Sequence, residues 1–402
     1  MERSDVSGMA GGSMSMQVAK PVLFVTTTLG TGGAEQMLLK ILQRLDRNQF
    51  SPVVVSLLDE GTVGEKIGEL GIPVVCLRMD SLLRILMAPF ALARLIRQYR
   101  FELIQGWMYH GNLLAWFGRL LANSRASLGF GIRQSLYGLA RERLNTRWVI
   151  RANSWLSRWA RGCVFNSQFS LDTHKEFGFC GRSMTVIPNG FDLKEFAPCA
   201  EKRLTVRTSL GLENSLVIGM VARFHPIKAH HDFLQAAAIV HQHKPKAKFV
   251  LVGTGVTERN EQLMTWIADL GLTGSVQLLG ERSDIADLNN AFDVACLASR
   301  AEAFPNAVGE SMACGVPCVV THVGECAEIV GRTGRVVEAG RPDLLAGALL
   351  ELLNMTLAER HVLGRAARER VIDRFDMDHI AHQYEKCFRE FISETKEDEK
   401  RG

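Results

Sequence analysis

Residues 20–45, "KPVLFVTTTLGTGGAEQMLLKILQRL", run from an apolar strand at 21–27 through a glycine-rich turn at 30–33 into a helical pattern. Residues 215–240, "SLVIGMVARFHPIKAHHDFLQAAAIV", repeat the order of strand, loop and helix. Strand and helix alternation of this kind is the grammar of an α/β protein with a mostly parallel sheet. Between the two stretches "SPVVVSLLDEG" and "IPVVCLRM" supply strands on either side of a helix around 63–70. "DSLLRILMAPFALARLIRQYRFELIQGW" reads as a helix interrupted near Pro89 and a strand around 103–106. "RWARGCVFNSQFS" and "SMTVIPNGFDLKEFAP" close this half. After the restart, "KAKFVLVGTG", "GSVQLLG", "FDVACLAS", "GVPCVVTHVGE" and "GRVVEAG" build a second sheet, and the chain is helical from about Pro342 to the charged "ETKEDEKRG".

At 402 residues the chain is too long for one ordinary core and suits two domains. An apolar fraction of 47% with 22% charged residues is that of a globular protein. Two α/β units joined near residues 190–210 leave a cleft at their interface, where ligands of open sheets bind. The nine cysteines form no CxxC pair, and Cys76, Cys296 and Cys318 sit in apolar runs, which points to reduced, packed thiols and a cytoplasmic setting. Residues 1–17 read as a loose polar tail. No uninterrupted apolar run reaches 18 residues, so no membrane-spanning helix is expected.

The net charge of +4 is unevenly spread. From Arg78 to Arg161 there are fourteen arginines, no lysine, and only Asp80, Glu102 and Glu142 as acids. Such a field attracts an anionic membrane surface, a phosphorylated substrate or nucleic acid; a solvated helical face is the plainer alternative. A nucleic-acid role has only this arginine density behind it, so no nucleic-acid partner is expected.

Several residues can carry chemistry, each beside a plainer reading. Gly30, Gly32 and Gly33 let backbone amides approach a phosphate, or form a tight packing turn. Arg223 and Lys228, in "ARFHPIKAHHDF", suit a diphosphate leaving group, or face solvent. His230 and His231 point different ways with no ligand cluster nearby, which argues against a metal. In "RAEAFPNAVGESMACGVPCVV", residues 300–320, Glu302 falls at a strand's carboxyl end, and Pro305 and Gly315 suit the start and end of a helix. Glu310 then lies mid-helix, able to accept hydrogen bonds from a ribose diol, while the amides around 306–308 form a positive helix end. Two surface acids is the alternative. His110, at the head of an apolar helical pattern, can move a proton near neutrality or simply pack.

Taken together, "GTGGAE" at 30–35, "VIPNGFD" at 186–192, "ARFHPIK" at 222–228 and "EAFPNAVGE" at 302–310 resemble a retaining glycosyltransferase of family 4. The resemblance continues in "SMACGVPCVVTHVGECAEIV" at 311–330 and covers the chain from about residue 20 to 385. It implies the GT-B architecture, two Rossmann-like domains facing each other across a deep cleft. An acceptor-binding domain would span 18–190 and a nucleotide-sugar-binding domain 191–375. A helix over 376–402 would pack back toward the first domain.

The same resemblance implies roles. Glu310 would hold the donor ribose and Glu302 the hydroxyls of the transferred sugar. Arg223 and Lys228 would neutralise the diphosphate, and Gly32 and Gly33 would supply backbone contacts across the cleft. Phe304, Pro305, Asn306 and Ala307 would belong to the donor site, His110 would lie near the sugar, and Asn189, Gly190 and Asp192 would form the hinge. Two positions depart from the family's pattern: Glu325 stands where a second glycine is common, and Ala303 follows Glu302. The implied reaction moves a sugar from a UDP- or GDP-linked donor with retention, by front-face attack assisted by the leaving diphosphate, with no metal required. The acceptor would be a hydroxyl of a glycan or polyprenyl-diphosphate-linked glycan in cell-surface polysaccharide synthesis, with "SLLRILMAPFALARLIRQ" at the inner membrane face. A synthase using a small soluble sugar or sugar phosphate, or a non-catalytic nucleotide- or carbohydrate-binding protein, are the alternatives.

Overall fold

The computed structural model describes residues 19–136 and 144–401; the tail over 1–17 lies outside them. The first half contains β1 (Lys20–Thr26), α1 (Gly33–Arg44), β2 (Phe50–Ser56), α2 (Gly61–Glu69), β3 (Val74–Cys76) and α3 (Leu82–Tyr99). It continues through β4 (Leu103–Trp107), α4 (Met108–Ala122), β5 (Ser127–Ile132), α5 (Leu144–Leu156), β6 (Gly162–Phe165), α6 (Gln168–Phe177) and β7 (Ser183–Val186). Its seven strands are all parallel, in the order β3-β2-β1-β4-β5-β6-β7. The order reverses at β1 and β4, so the loops after these two strands flank the crevice at the sheet's carboxyl edge.

The second half begins with α7 (Ala200–Ser209), β8 (Leu216–Val221), α8 (His230–His243), β9 (Ala247–Val252), α9 (Glu261–Asp269) and β10 (Val276–Leu278). Then follow α10 (Ile285–Ala291), β11 (Val294–Leu297), α11 (Asn306–Ala313), β12 (Cys318–Thr321), α12 (Cys326–Val330) and β13 (Arg335–Val337). Helices α13 (Pro342–Asn354) and α14 (Leu357–Phe375) complete it. Six parallel strands run β10-β9-β8-β11-β12-β13, with the reversal between β8 and β11. The loops after β8 and β11 carry Arg223, Lys228 and Glu302. Both halves are thus Rossmann-like and meet at their carboxyl edges across a cleft, the GT-B architecture.

Each sheet is buried on both faces, which is why its strands read as continuous Val, Ile and Leu runs. One face of the first sheet packs against α3, α4 and α5 around Leu92, Ile96, Ala115 and Ile150. The other packs against α1 and the last helix, α15 (Met377–Arg401), whose Ile380, Tyr384, Phe388 and Phe391 fill it. Gly162 lets Phe391 lie on the sheet, since a Cβ there would come within 2.3 Å of its ring, and a Cβ on Gly129 would lie 2.1 Å from Gln105 Oε1.

The break expected near Pro89 does not occur. Helix α3 runs through the proline, because Ala88, Leu92, Ala93 and Ile96 form a stripe against the sheet. That burial outweighs the lost hydrogen bond, a cost of about 3 kcal/mol in an isolated helix.

The chain crosses between domains twice, and the two crossings are bonded to each other. The Phe191 amide donates to the Phe375 carbonyl at 2.8 Å and the Met377 amide to the Phe191 carbonyl at 3.1 Å. Gly190 permits this, since a Cβ there would lie 2.7 Å from Met377 Sδ. Arg44 of α1 clamps the junction, holding Asp192 and Asp378 at 2.6 Å each. Asp378 belongs to the sequence's one Asp-x-Asp triplet, Asp376-Met377-Asp378, which therefore serves the crossing.

Candidate active site

The second domain's contribution starts with two loops at one sheet edge. After β8 the chain makes a short turn over Pro226–Lys228, with Ala229 in the left-handed region (φ 51°) turning it into α8. After β11 it forms the loop carrying Glu302. Lys228 Nζ donates to Glu302 Oε1 at 2.5 Å, and the buried Ser299 Oγ donates to the same oxygen at 2.6 Å. The two donors fix the carboxylate's rotamer. Arg223 is exposed at the mouth of the same loop pair.

Gly324 has a specific job in this loop cluster. It takes a left-handed φ of 51°, and a Cβ there would lie 2.1 Å from the Glu302 carbonyl oxygen. The glycine lets the 322–325 turn lie directly on the 302–303 backbone. Glu325, beside it, points its carboxylate across the cleft to the backbone amides of Gln168 and Phe169, at 3.5 and 3.4 Å, at the start of α6. A second glycine at 325 would lack this carboxylate and the contact it makes between domains.

Helix α11 begins at Asn306, with Pro305 as the preceding extended residue and no side chain capping the end. Its position is set by Gly309, where a Cβ would lie 2.0 Å from the Phe191 ring. Gly315, at φ 75°, ends it, its amide donating a hydrogen bond to the Met312 carbonyl. Phe304 is buried against Phe191 and Phe375, and Pro305 is buried too. Their side chains face the core, so only backbone is offered to a ligand there. Asn306, Ala307 and Glu310 are partly open. Burial raises the Glu310 carboxyl above the ordinary glutamate range, and Lys40 of α1 draws it part-way back.

The first domain meets these groups from the opposite wall. Gly32 precedes α1 in extended conformation, and a Cβ on Gly33 would lie 3.2 Å from Asn306 Nδ2. Ser135 Oγ donates to the Glu302 carbonyl at 3.4 Å. Asn189 Nδ2 donates to Asn306 Oδ1 at 2.6 Å, and Asn189 Oδ1 in turn accepts from the buried guanidinium of Arg133. Arg133 also donates to the Tyr384 hydroxyl and lies over the Trp107 ring at 4.8 Å. A cation inside the first domain is linked through one asparagine to the first residue of the second domain's helix α11.

His110 is the third residue of α4, which starts from Met108 in the left-handed region (φ 68°) at the end of β4. Such a conformation is strained for a residue with a side chain. The ring is open to solvent but flanked by protein, which holds its pKa below 6.5 and favours the neutral imidazole at neutral pH.

Glu302, Lys228, Arg223, Glu310, Asn306, Gly32 and Gly33 therefore gather at one cleft, with His110 in the first turn of α4 at the first domain's edge. Sequence reasoning missed Arg133, Ser299 and Lys40. Ser299 had a signal, three residues before Glu302 at the end of a strand. Arg133 and Lys40 had none, because each acts on a partner far away in the chain. Among the described residues no group of three or more His, Cys, Asp or Glu side chains is placed to hold a metal ion.

The family model described as Glycosyltransferase Family 4 matches residues 31–195, and the model described as Glycosyl transferases group 1 matches residues 215–355. The chain is a glycosyltransferase of the GT-B fold, each of its domains matching one of these models. This glycosyltransferase is 26% identical over 316 residues to the Escherichia coli UDP-Gal:alpha-D-GlcNAc-diphosphoundecaprenol alpha-1,3-galactosyltransferase, covering 76% of this chain and 79% of that one. It is 31% identical over 219 residues to the D-inositol 3-phosphate glycosyltransferase of Rhodococcus erythropolis. That match covers 52% of this chain and about half, 48%, of the relative. The crystal structure of Anabaena HepE in complex with UDP-glucose superposes with a TM-score of 0.78 at 25% identity, over 94% of this chain and 99% of that one.

Proposed function

We propose that this glycosyltransferase moves a sugar from a uridine diphosphate donor to an acceptor hydroxyl with retention of anomeric configuration. The observation that carries it is the convergence of Lys228, Glu302, Arg223 and the uncapped start of α11 on one cleft wall, with the Gly32–Gly33 backbone opposite. The complex of HepE with UDP-glucose supports uridine as the base. Arg223, Lys228 and the α11 amides hold and neutralise the diphosphate, whose charge grows as the glycosidic bond breaks. Glu310 accepts hydrogen bonds from the ribose and Glu302 from the sugar. Neutral His110 offers the sugar a hydrogen bond. The acceptor hydroxyl attacks the face that the diphosphate leaves, and its proton passes to the departing diphosphate oxygen. A closed cleft excludes water and limits donor hydrolysis.

For the acceptor, a small soluble sugar phosphate is better supported than a lipid-linked glycan. The inositol phosphate enzyme, at 31% identity, names such an acceptor. The second reading, a polyprenyl-diphosphate-linked saccharide used at the cytoplasmic membrane, is favoured by the longer match to the galactosyltransferase. Cell-surface polysaccharide synthesis belongs to that second reading. Incubating purified protein with UDP- and GDP-sugars, and with inositol phosphate or a polyprenyl-diphosphate saccharide, tests both. Release of UDP coupled to an α-linked product from an α-linked donor is expected. An inverted product, or no nucleotide release from any donor, refutes the reading.

A further inference from the structure

The first domain carries an apolar rim that sugar transfer does not explain. Helix α3 follows β3, and α5 follows β5. In a parallel sheet both begin at the carboxyl edge, the edge that also carries Gly32, Gly33 and His110. A domain helix ordinarily buries one stripe and exposes a polar face. α3 does so only from Ala88 onward. Its first three turns present Leu82, Leu83, Leu86 and Phe90 to solvent, at 74%, 70%, 61% and 57% exposure. At the start of α5, Leu144 and Trp148 are each 70% exposed.

The charge around this rim is predominantly positive. Arg84, Arg94, Arg147 and Arg151 are exposed on the same two helices. The acids among the described residues from 80 to 161 are Asp80, which pairs with Arg84 at 2.6 Å, and Glu102, at the opposite edge of the sheet and held by Lys396 at 2.8 Å. Exposed aliphatic and tryptophan side chains interleaved with arginines match the boundary between headgroups and acyl chains. A second copy fits worse, because a two-fold pairing through this face would set arginine against arginine.

We propose that this rim docks the protein onto an anionic phospholipid bilayer, with the leucines, Phe90 and Trp148 in the interface and the arginines at the lipid phosphates. Docking there sets the mouth of the cleft against the lipid surface. The inference goes beyond the transfer reaction and holds for either acceptor. No helix among the described residues is long and apolar enough to cross a membrane, so the contact is peripheral.

Flotation of the full chain with vesicles of phosphatidylcholine alone, or mixed with phosphatidylglycerol, tests it without any turnover. Binding to the mixed vesicles and not the neutral ones is expected. The double variant Leu83→Ser/Leu86→Ser should lower partitioning at least about tenfold. Arg147→Ala/Arg151→Ala should lower it roughly 20- to 30-fold, at about 1 kcal/mol per arginine. Both variants should melt as the wild type does, since the side chains are exposed. Failure to bind mixed vesicles, equal binding to neutral ones, or unchanged binding by either variant overturns the proposal. So does a wild-type dimer that both variants abolish. Failure here leaves the transfer reaction standing, and loss of transfer leaves vesicle binding standing.

Discussion

Lys228 Nζ lies 2.5 Å from Glu302 Oε1, although the two groups come from different loops and are assigned to opposite ends of the donor. The contact cancels both charges in the free protein. If Lys228 holds the diphosphate and Glu302 the sugar, as proposed, an incoming diphosphate draws Lys228 away and releases the carboxylate. Binding at the two ends of the donor would then be coupled through this pair.

That coupling gives an unusual expectation for Glu302→Gln. Removing the negative charge frees Lys228, so the variant should bind UDP alone more tightly than the wild type while turning over the sugar donor more slowly. Lys228→Met should lose about 100- to 1,000-fold in kcat, as expected for a missing donor at a developing charge. Calorimetric titration with UDP and steady-state kinetics check both. Weaker UDP binding by Glu302→Gln would refute the coupling.

The raised pKa of Glu310 predicts a pH dependence on the acid side. Burial lifts the carboxyl above 4.5 and Lys40 partly restores it. As pH falls, Glu310 takes up its proton earlier than an ordinary glutamate and loses its strength as an acceptor. UDP affinity should therefore weaken at a pH above the usual glutamate range, Glu310→Gln should remove that dependence, and Lys40→Met should move its onset to higher pH. For folding the sign is opposite. A raised native pKa contributes stability fully below 4.5, lost as pH rises through the raised value. Ligand titrations and urea midpoints across a pH series measure the two separately.

Gly324→Ala places a methyl group on the Glu302 carbonyl and asks a side chain to adopt a left-handed backbone. A loss of about 1–3 kcal/mol in stability is expected, with a larger proportional loss in kcat because the Glu302 loop must move. Thermal melting beside turnover reads both effects. Melting depressed with kcat intact would show that the loop's exact seating does not matter to transfer.

Arg133→Met removes the support of Asn189, and through it of Asn306. Breaking such a buried hydrogen-bonded cation should cost about 2–4 kcal/mol in stability. Asn189→Ala cuts the same link with less damage to the core. It should raise the KM for donor several-fold with a smaller change in kcat, since α11 loses its tie to the first domain. Unchanged KM in a well-folded Asn189→Ala protein would detach this chain of contacts from donor binding.

Much of this arrangement was legible in the sequence. The strand, glycine turn and helix order fixes two parallel sheets, because parallel strands require crossovers of that length. The flanks of Glu302 and Glu310, with Pro305 and Gly315, mark a strand end and a helix at their actual positions. What escaped depends on contacts between residues far apart in the chain. Pro89 looked like a break because local propensity cannot see the stripe that α3 buries. Glu325 looked only like a missing glycine, since its role requires the amides of α6 across the cleft. The Arg133–Asn189–Asn306 chain joins three segments with no shared pattern. Phe304 lay within a donor motif, yet its ring turns into the core.

The Phe191 and Met377 backbones run side by side between the domains and exchange hydrogen bonds. A single connecting strand could swivel in any direction, whereas a two-stranded ribbon resists torsion and bends mainly across its flat face. The domains are thus left with essentially one easy way to part, like the covers of a book on its spine. Such a parting would lift Gly33 from Asn306 and the α6 amides from Glu325 together. Closing about the same line would restore both contacts at once.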